Sequence, residues 1–166
     1  MIETERLILR PWQESDADAL YKYASDSRVS ELALWPTHTS VEMSQWVLRE
    51  IFIPNIYSFA MVLKSTGEAI GCIGLVPEGM ENYAPEACER EVGYWIGHPY
   101  WNQGLTSEAL MGFMAYCRDS LSLSSLLITT DSRNVASGCV AQKCGFSLID
   151  NFTHDNIPSL AYRIHL

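Results

Sequence analysis

Gly93-Tyr94-Trp95-Ile96-Gly97-His98-Pro99-Tyr100-Trp101-Asn102-Gln103-Gly104-Leu105-Thr106-Ser107-Glu108-Ala109-Leu110 is the stretch on which the fold turns. It reads as the end of an aromatic strand, a short turn, and the start of a helix. A strand that feeds a helix through such a turn leaves several amide hydrogens unpaired at the helix N-terminus. The helix dipole adds about half a positive charge there, and a glycine at position 104 lets a bulky anion approach the backbone. The segment over residues 101–108 is therefore a candidate phosphate site. It is not a Walker loop, since no G-x-x-x-x-G-K is present. A glycine at a strand–helix junction is often only a turn, so this motif needs support from elsewhere.

That support comes about thirty residues on, at Asn134-Val135-Ala136-Ser137. Asparagine is a good N-cap, and Ser137 falls in the first turn behind it. Capping alone would account for Asn134. The functional reading sets its amide against the amides of a ligand and the Ser137 hydroxyl beside a leaving group. Upstream, Glu89, Glu91, Gly93 and Trp95 share one face of the aromatic strand, and Arg90, Val92, Tyr94 and Ile96 the other. If the first face lines a cleft, Glu91 can take a proton from an amine, directly or through water. If not, it is a solvated strand carboxylate.

The remaining elements follow from spacing. Arg6 to Arg10 alternates as a first strand ended by Pro11. Ser15 with Asp18 resembles a capping box, followed by Ala17, Leu20, Tyr21 and Ala24 at helical spacing. Thr39 with Glu42 is a second such cap, ahead of Met43, Val47 and Ile51 on one helix face that Pro54 stops. Tyr57–Lys64 and Ala69–Val76 flank Ser65-Thr66-Gly67-Glu68 as a hairpin, and residues 77–86 form a loop. Glu89–Ile96 is the fourth strand. Leu105, Ala109, Phe113 and Tyr116 mark a helix, Ser124–Thr130 a strand buried on both faces, and Asn134–Cys144 a short helix capped by Gly145. Phe146–Ile149 and Leu160–His165 close the chain. Without repeats or linkers, residues 1–166 read as a single α+β domain. Its sheet is mixed and mostly antiparallel, with about seven strands and about four helices.

Bulk composition narrows the function classes. A net charge of −9 argues against non-specific nucleic-acid binding and permits a basic substrate, although solubility alone would also explain it. The five cysteines lack C-x-x-C spacing and fit a reducing, cytoplasmic setting. The four scattered histidines give no metal-ligand spacing. Nothing at the N-terminus reads as a signal peptide, and no stretch approaches a membrane span.

In this order, the segments resemble the GNAT (GCN5-related) N-acetyltransferase superfamily, in its RimJ/RimL-like branch of ribosomal-protein N-terminal acetyltransferases. The likeness runs from Glu5-Arg6-Leu7-Ile8-Leu9-Arg10-Pro11 through Glu91–Ile96, Tyr100–Ala109 and Asn134–Ser137 to Gln142-Lys143-Cys144-Gly145-Phe146. The resemblance implies acetyl-CoA as donor and no metal. Its diphosphate would lie on the amides of residues 102–107 and its pantetheine arm along Tyr94, Trp95 and Ile96, with Asn134 beside it. It also implies that Ser137 protonates the departing thiolate. Trp101 and Thr106 depart from the family's diphosphate turn, and Asn102-Gln103-Gly104 stands where the branch often has Gly-Lys-Gly. The turn thus has one glycine and one cation fewer; CoA binding is still expected, because backbone amides do most of that work. The implied acceptor is a primary amine, on a protein N-terminus or a small molecule of the aminoglycoside or polyamine type. The loops expected to shape its site, residues 28–38, 77–88 and 151–159, do not name it. A non-catalytic CoA-binding module is the alternative from another class, and a homodimer is left open.

Overall fold

The computed structural model describes residues 1–166. In chain order the elements are β1 (Ile2–Glu3), β2 (Leu7–Pro11), α1 (Ala17–Ala24), α2 (Ser27–Ala33), α3 (Val41–Val47), β3 (Ser58–Leu63), β4 (Ala69–Leu75), β5 (Glu89–Ile96), α4 (Leu105–Leu121), β6 (Ser125–Asp131), α5 (Val135–Lys143), β7 (Ser147–His154) and β8 (Ile157–His165). The strands form one sheet in the order β1-β2-β3-β4-β5-β6-β8-β7. Every neighbouring pair is antiparallel except β5 with β6.

Helices cover both faces, which explains why β3 and β4 read as near-continuous apolar runs rather than alternating ones. On one face, Phe113 and Leu110 of α4 pack with Leu7, Leu9, Phe59, Met61 and Ile73. On the other, Leu20 and Ala24 of α1 meet Trp12, Val47, Ala60 and Cys72. No helix is long and apolar enough to cross a membrane.

The parallel pair is the feature that positions the site. β5 and β6 are in register over only three residues, Glu89↔Ser125 to Glu91↔Leu127. Beyond that point β5 continues to Ile96 against β4, and β6 continues to Asp131 against β8. The sheet is thus two half-sheets joined at one end and parted at the other.

Several expectations are corrected. There are eight strands and five helices, because β1 and α2 escaped the pattern reading. α2 buries only Val29 and Ser30 and so has no apolar stripe to find; its start is capped by Asp26, which accepts from the Arg28 N–H at 3.0 Å. The first cap is centred on Asp16, which accepts from the Gln13 N–H at 2.9 Å, not on Ser15. In α1 it is Tyr23, not Tyr21, that is buried. The helix expected from Thr39 is capped by Ser40 instead, and a π-helical turn over Leu48–Phe52 leaves Ile51 exposed. Residues 151–159 are no loose tail. They belong to the β7–β8 hairpin, whose turn residues Asp155 and Asn156 both take positive φ, 48° and 63°, the twist a two-residue hairpin needs.

At the joined end, Glu89 is buried and accepts from Arg163 of β8 at Nε (2.6 Å) and Nη2 (2.9 Å). Burial pushes its carboxyl up, but Arg163, the Glu86 N–H and Ser125 outweigh that and hold it below the ordinary glutamate value. Arg163→Met leaves a buried carboxylate unpaired and should cost about 3 kcal/mol. That corresponds to a melting-temperature fall of roughly 6–12 °C for a chain of this size. A depressed native pKa contributes stability above the unfolded value and loses it as pH falls through the native one. In the variant the unpaired carboxyl titrates above the ordinary value, so thermal melts should show the gap between the two proteins beginning to close above about pH 4 and finishing below it.

Candidate active site

The turn between β5 and α4 has the geometry of an anion cradle. Asn102 and Gly104 both take left-handed φ, 60° and 75°, and Gly104 is the N-cap of α4. The first helical bond closes from the Glu108 N–H to the Gly104 carbonyl at 3.0 Å. The N–H groups of Leu105, Thr106 and Ser107 therefore have no acceptor within the helix. Leu105 and Ser107 bury their side chains, so what they present is backbone. The Gln103 side chain turns away and donates to the Pro99 carbonyl at 2.9 Å. Two cations flank the glycine: a Cβ placed on Gly104 would lie 3.7 Å from Arg6 Nη2 and 3.9 Å from Lys143 Nζ. Arg6 is braced by Glu108, at 2.7 Å from its Nε, and donates from Nη1 to the Gln103 carbonyl at 3.0 Å. The positive charge that the turn's own sequence lacks thus arrives from the chain ahead of β2 and the end of α5.

β5 divides its backbone by parity. The Val76 N–H donates to the Glu91 carbonyl at 2.9 Å, and the Gly97 N–H to the Ile70 carbonyl at 2.8 Å. Odd-numbered residues of β5 therefore pair with β4, and even-numbered ones point toward β6. Past the end of the β5–β6 ladder, the N–H and C=O of Tyr94 and the N–H of Ile96 face the gap. The Ile96 carbonyl is taken by the Trp101 indole N–H at 3.0 Å. Trp95 lies elsewhere: its backbone is opposite Cys72 of β4, and its ring packs 5.5 Å from Trp35 on the face covered by α1–α3.

Glu91 stands where the strands part. It is buried, not solvated. Its carboxylate accepts from the Asn82 N–H at 2.7 Å, from Asn82 Nδ2 at 3.2 Å, and from the Thr129 hydroxyl on β6. Burial raises its pKa above the ordinary glutamate value, and these donors only partly oppose the shift. Across the gap, the Asn134 side-chain oxygen accepts from the Ser137 N–H at 3.2 Å, which makes it the N-cap of α5. Its Nδ2 reaches the Leu32 carbonyl of α2 at 3.4 Å. The Ser137 hydroxyl donates to Tyr94 Oη at 3.2 Å, and Tyr94 Oη donates to the Ser137 carbonyl at 3.0 Å. Burial pushes the Tyr94 phenol well above its usual range, so it keeps its proton. A cleft of about 760 Å³ runs from Trp35, Trp46 and Phe52 to Glu91, Asn134 and Ser137. No group of three or more His, Cys, Asp or Glu side chains gathers as metal ligands would.

Sequence reasoning named Glu91, Tyr94, Trp95, Ile96, Asn134, Ser137 and residues 102–107; the structure brings Glu91, Tyr94, Trp95, Asn134 and Ser137 to one cleft and sets residues 102–107 apart from it, at the head of α4. It missed Asn82 and Thr129, the donors to Glu91, and the two cations beside Gly104. No periodicity or spacing links those residues to their partners.

Residues 6–147 match the Acetyltransferase (GNAT) domain family. The uncharacterized N-acetyltransferase p20 of Bacillus licheniformis is 30% identical over 138 residues, 81% of this chain and 75% of its own. The GNAT-family acetyltransferase from Bacillus anthracis has a similar solved structure, with a TM-score of 0.84 at 23% identity, covering 99% of this chain and 97% of that one. AAC(6')-Ib, solved in complex with ribostamycin and coenzyme A, matches with a TM-score of 0.77 at 14% identity, over 97% and 94% of the two chains. The structural likenesses speak for the fold. The family match spans most of the sequence, and by it this chain belongs to the GNAT acetyltransferases.

Proposed function

We propose that this acetyltransferase moves an acetyl group from acetyl-CoA to a primary amine by direct attack within a ternary complex. The observation that carries this reading is a convergence on one gap in the sheet. A buried carboxylate of raised pKa, unpaired strand amides and a hydroxyl pair all border it. Acetyl-CoA supplies the thioester acyl group and departs as the thiol. The residues fit such a donor: the amides of Leu105, Thr106 and Ser107, with Arg6 and Lys143, suit a diphosphate. The free edge at Tyr94 and Ile96, with Asn134 opposite, suits an extended amide-bearing arm.

The chain's own groups divide the chemistry. Glu91 accepts the proton that the amine sheds, through the Thr129 hydroxyl or a water. The Tyr94 N–H is the donor available to a developing oxyanion. Ser137 returns a proton on the leaving-group side, its hydroxyl oriented by Tyr94. Holding both reactants at the gap makes the transfer effectively intramolecular. The five free cysteines suit a cytoplasmic setting. The acceptor classes of the RimJ/RimL-like branch and of small amines both remain primary amines, and both would use this machinery.

Gly104→Val places a β-branched side chain at positive φ and inside the cradle, and should weaken CoA binding at least about tenfold. Lys143→Ala should weaken it roughly three- to tenfold, as loss of one charge-assisted contact at a solvent-facing site. Calorimetric titration with CoA checks both; unchanged affinities would remove the diphosphate from this turn.

Because Glu91 must be ionised to act, kcat at saturating amine should rise with pH through a midpoint above the ordinary glutamate value. Glu91→Gln should lower kcat by about 10²-fold or more and flatten this acid limb while CoA still binds. A variant with wild-type kcat would leave Glu91 a structural carboxylate, and a wild-type chain that binds CoA without turnover would favour the non-catalytic module.

Ser137→Ala should cut kcat by about 10²-fold, the low end for general acid catalysis because a thiolate already leaves readily. Its melting temperature should hardly move. Asn134→Ala removes a cap and should cost about 1 kcal/mol of stability as well. Turnover and melting measured on both variants separate the roles; full activity in Ser137→Ala hands the proton to another donor.

A further inference from the structure

Gly93 lies mid-strand in β5, with Val92 and Glu91 buried before it, yet it is exposed. Neither common reason for a strand glycine applies. Its φ is not positive, and a Cβ built on it would find no atom within 4 Å. Its cross-strand partner Gly74 is different, since a Cβ there would strike the Tyr57 carbonyl at 2.5 Å. The pair forms a bare patch on the cleft floor, and at Gly93 the bareness is not required by the fold. It leaves room for something else.

The surroundings say what. Glu91 and Trp95 are the same-face neighbours of Gly93, each about 6.6 Å away along the strand. Trp95 and Trp35, with ring centroids 5.5 Å apart, wall one side. Phe52, Met43 and Trp46 line the cleft further out, and Trp46 is 58% exposed at its mouth. No lysine or arginine lines the cleft. Its three carboxylates are Glu91, Asp131 and Asp155. Asp131 is fully buried and held by Arg133 at 2.6 Å, and Asp155 sits on the β7–β8 turn, 3.2 Å from His154. One carboxylate thus stands at the reacting end of an otherwise largely apolar slot. A polycation would find no second free carboxylate buried beside Glu91, since Asp155 is 85% exposed on its turn, and an anion would find no lysine or arginine.

Resting on the acetyltransferase reading above, we infer that the acceptor is a monoamine with a bulky apolar group, aromatic or branched aliphatic, two to four bonds from its nitrogen. That group lies over Gly93 against Trp95 and Trp35 while the amine reaches toward Glu91. A free arylalkylamine and a peptide with a large apolar first residue share this chemistry.

The test is acetyl transfer, read as thiol release, to five acceptors: phenethylamine, a tripeptide starting with phenylalanine, the same tripeptide starting with glycine, spermidine and an aminoglycoside. The expected result is a kcat/KM at least tenfold higher for phenethylamine or the phenylalanine peptide than for the other three. Whichever of those two leads identifies the source. Gly93→Val should lower kcat/KM for the favoured acceptor at least tenfold, chiefly through KM, with CoA affinity within twofold. Trp35→Ala, on the loop between α2 and α3, tests the wall should the first variant fold poorly, and should erode the preference for the apolar acceptor. Equal or better turnover of spermidine, the aminoglycoside or the glycine peptide overturns the inference and leaves the acetyltransferase reading standing. So does a preference untouched by either substitution. CoA binding with no transfer to any amine overturns both.

Discussion

Two parallel strands that share only three paired residues set the terms for the rest of this molecule. A sheet normally satisfies its backbone by continuing; this one stops between β5 and β6 while both strands go on. The half-sheets must then be held at one end and kept apart at the other. Glu89 with Arg163, and Glu91 with Thr129, hold the joined end. Across the open end, the Tyr94–Ser137 hydroxyl pair reaches from β5 to α5, and Asn134 links α5 to α2. The buried charges sit at the apex because removing a strand partner there would leave carboxylates without water or donors.

The same interruption gives β5 two functions that depend on residue parity. Even-numbered residues turn their amides to the gap, and odd-numbered residues turn their side chains to the cleft under α1–α3. A molecule in the gap and one in the cleft would therefore meet different atoms of the same strand. Trp95, expected beside the donor's pantetheine arm, turns its side chain by this parity to the cleft that Glu91 and Gly93 also line.

What the sequence made legible was local. The β5–turn–α4 run, the asparagine cap of α5 and the glycine after it each state their conformation within a few residues, because φ preference, capping and periodicity are short-range properties. The bounds of β5, Glu89–Ile96, were readable in full. What stayed hidden was set by contacts between distant segments. Arg6 and Lys143 are 137 residues apart and converge on Gly104 only in the fold. Glu91 reads equally well as solvated until Asn82 and Thr129 are seen to enclose it. α2 was missed because it buries too little to show a period, and the β7–β8 turn because Asp-Asn at positive φ is a weaker signal than a glycine.

A bare strand edge is ordinarily a hazard, since it offers another chain a template for pairing and aggregation. Here the bare edge faces the interior of a wedge, where α5 stands opposite. The outer edges are blunted in other ways. β1 is two residues long, and β7 carries Asp150, Asn151, Thr153 and His154 along its length. The unpaired amides of β5 can thus stay uncovered without lying on an outer edge of the sheet, where another strand could pair with them.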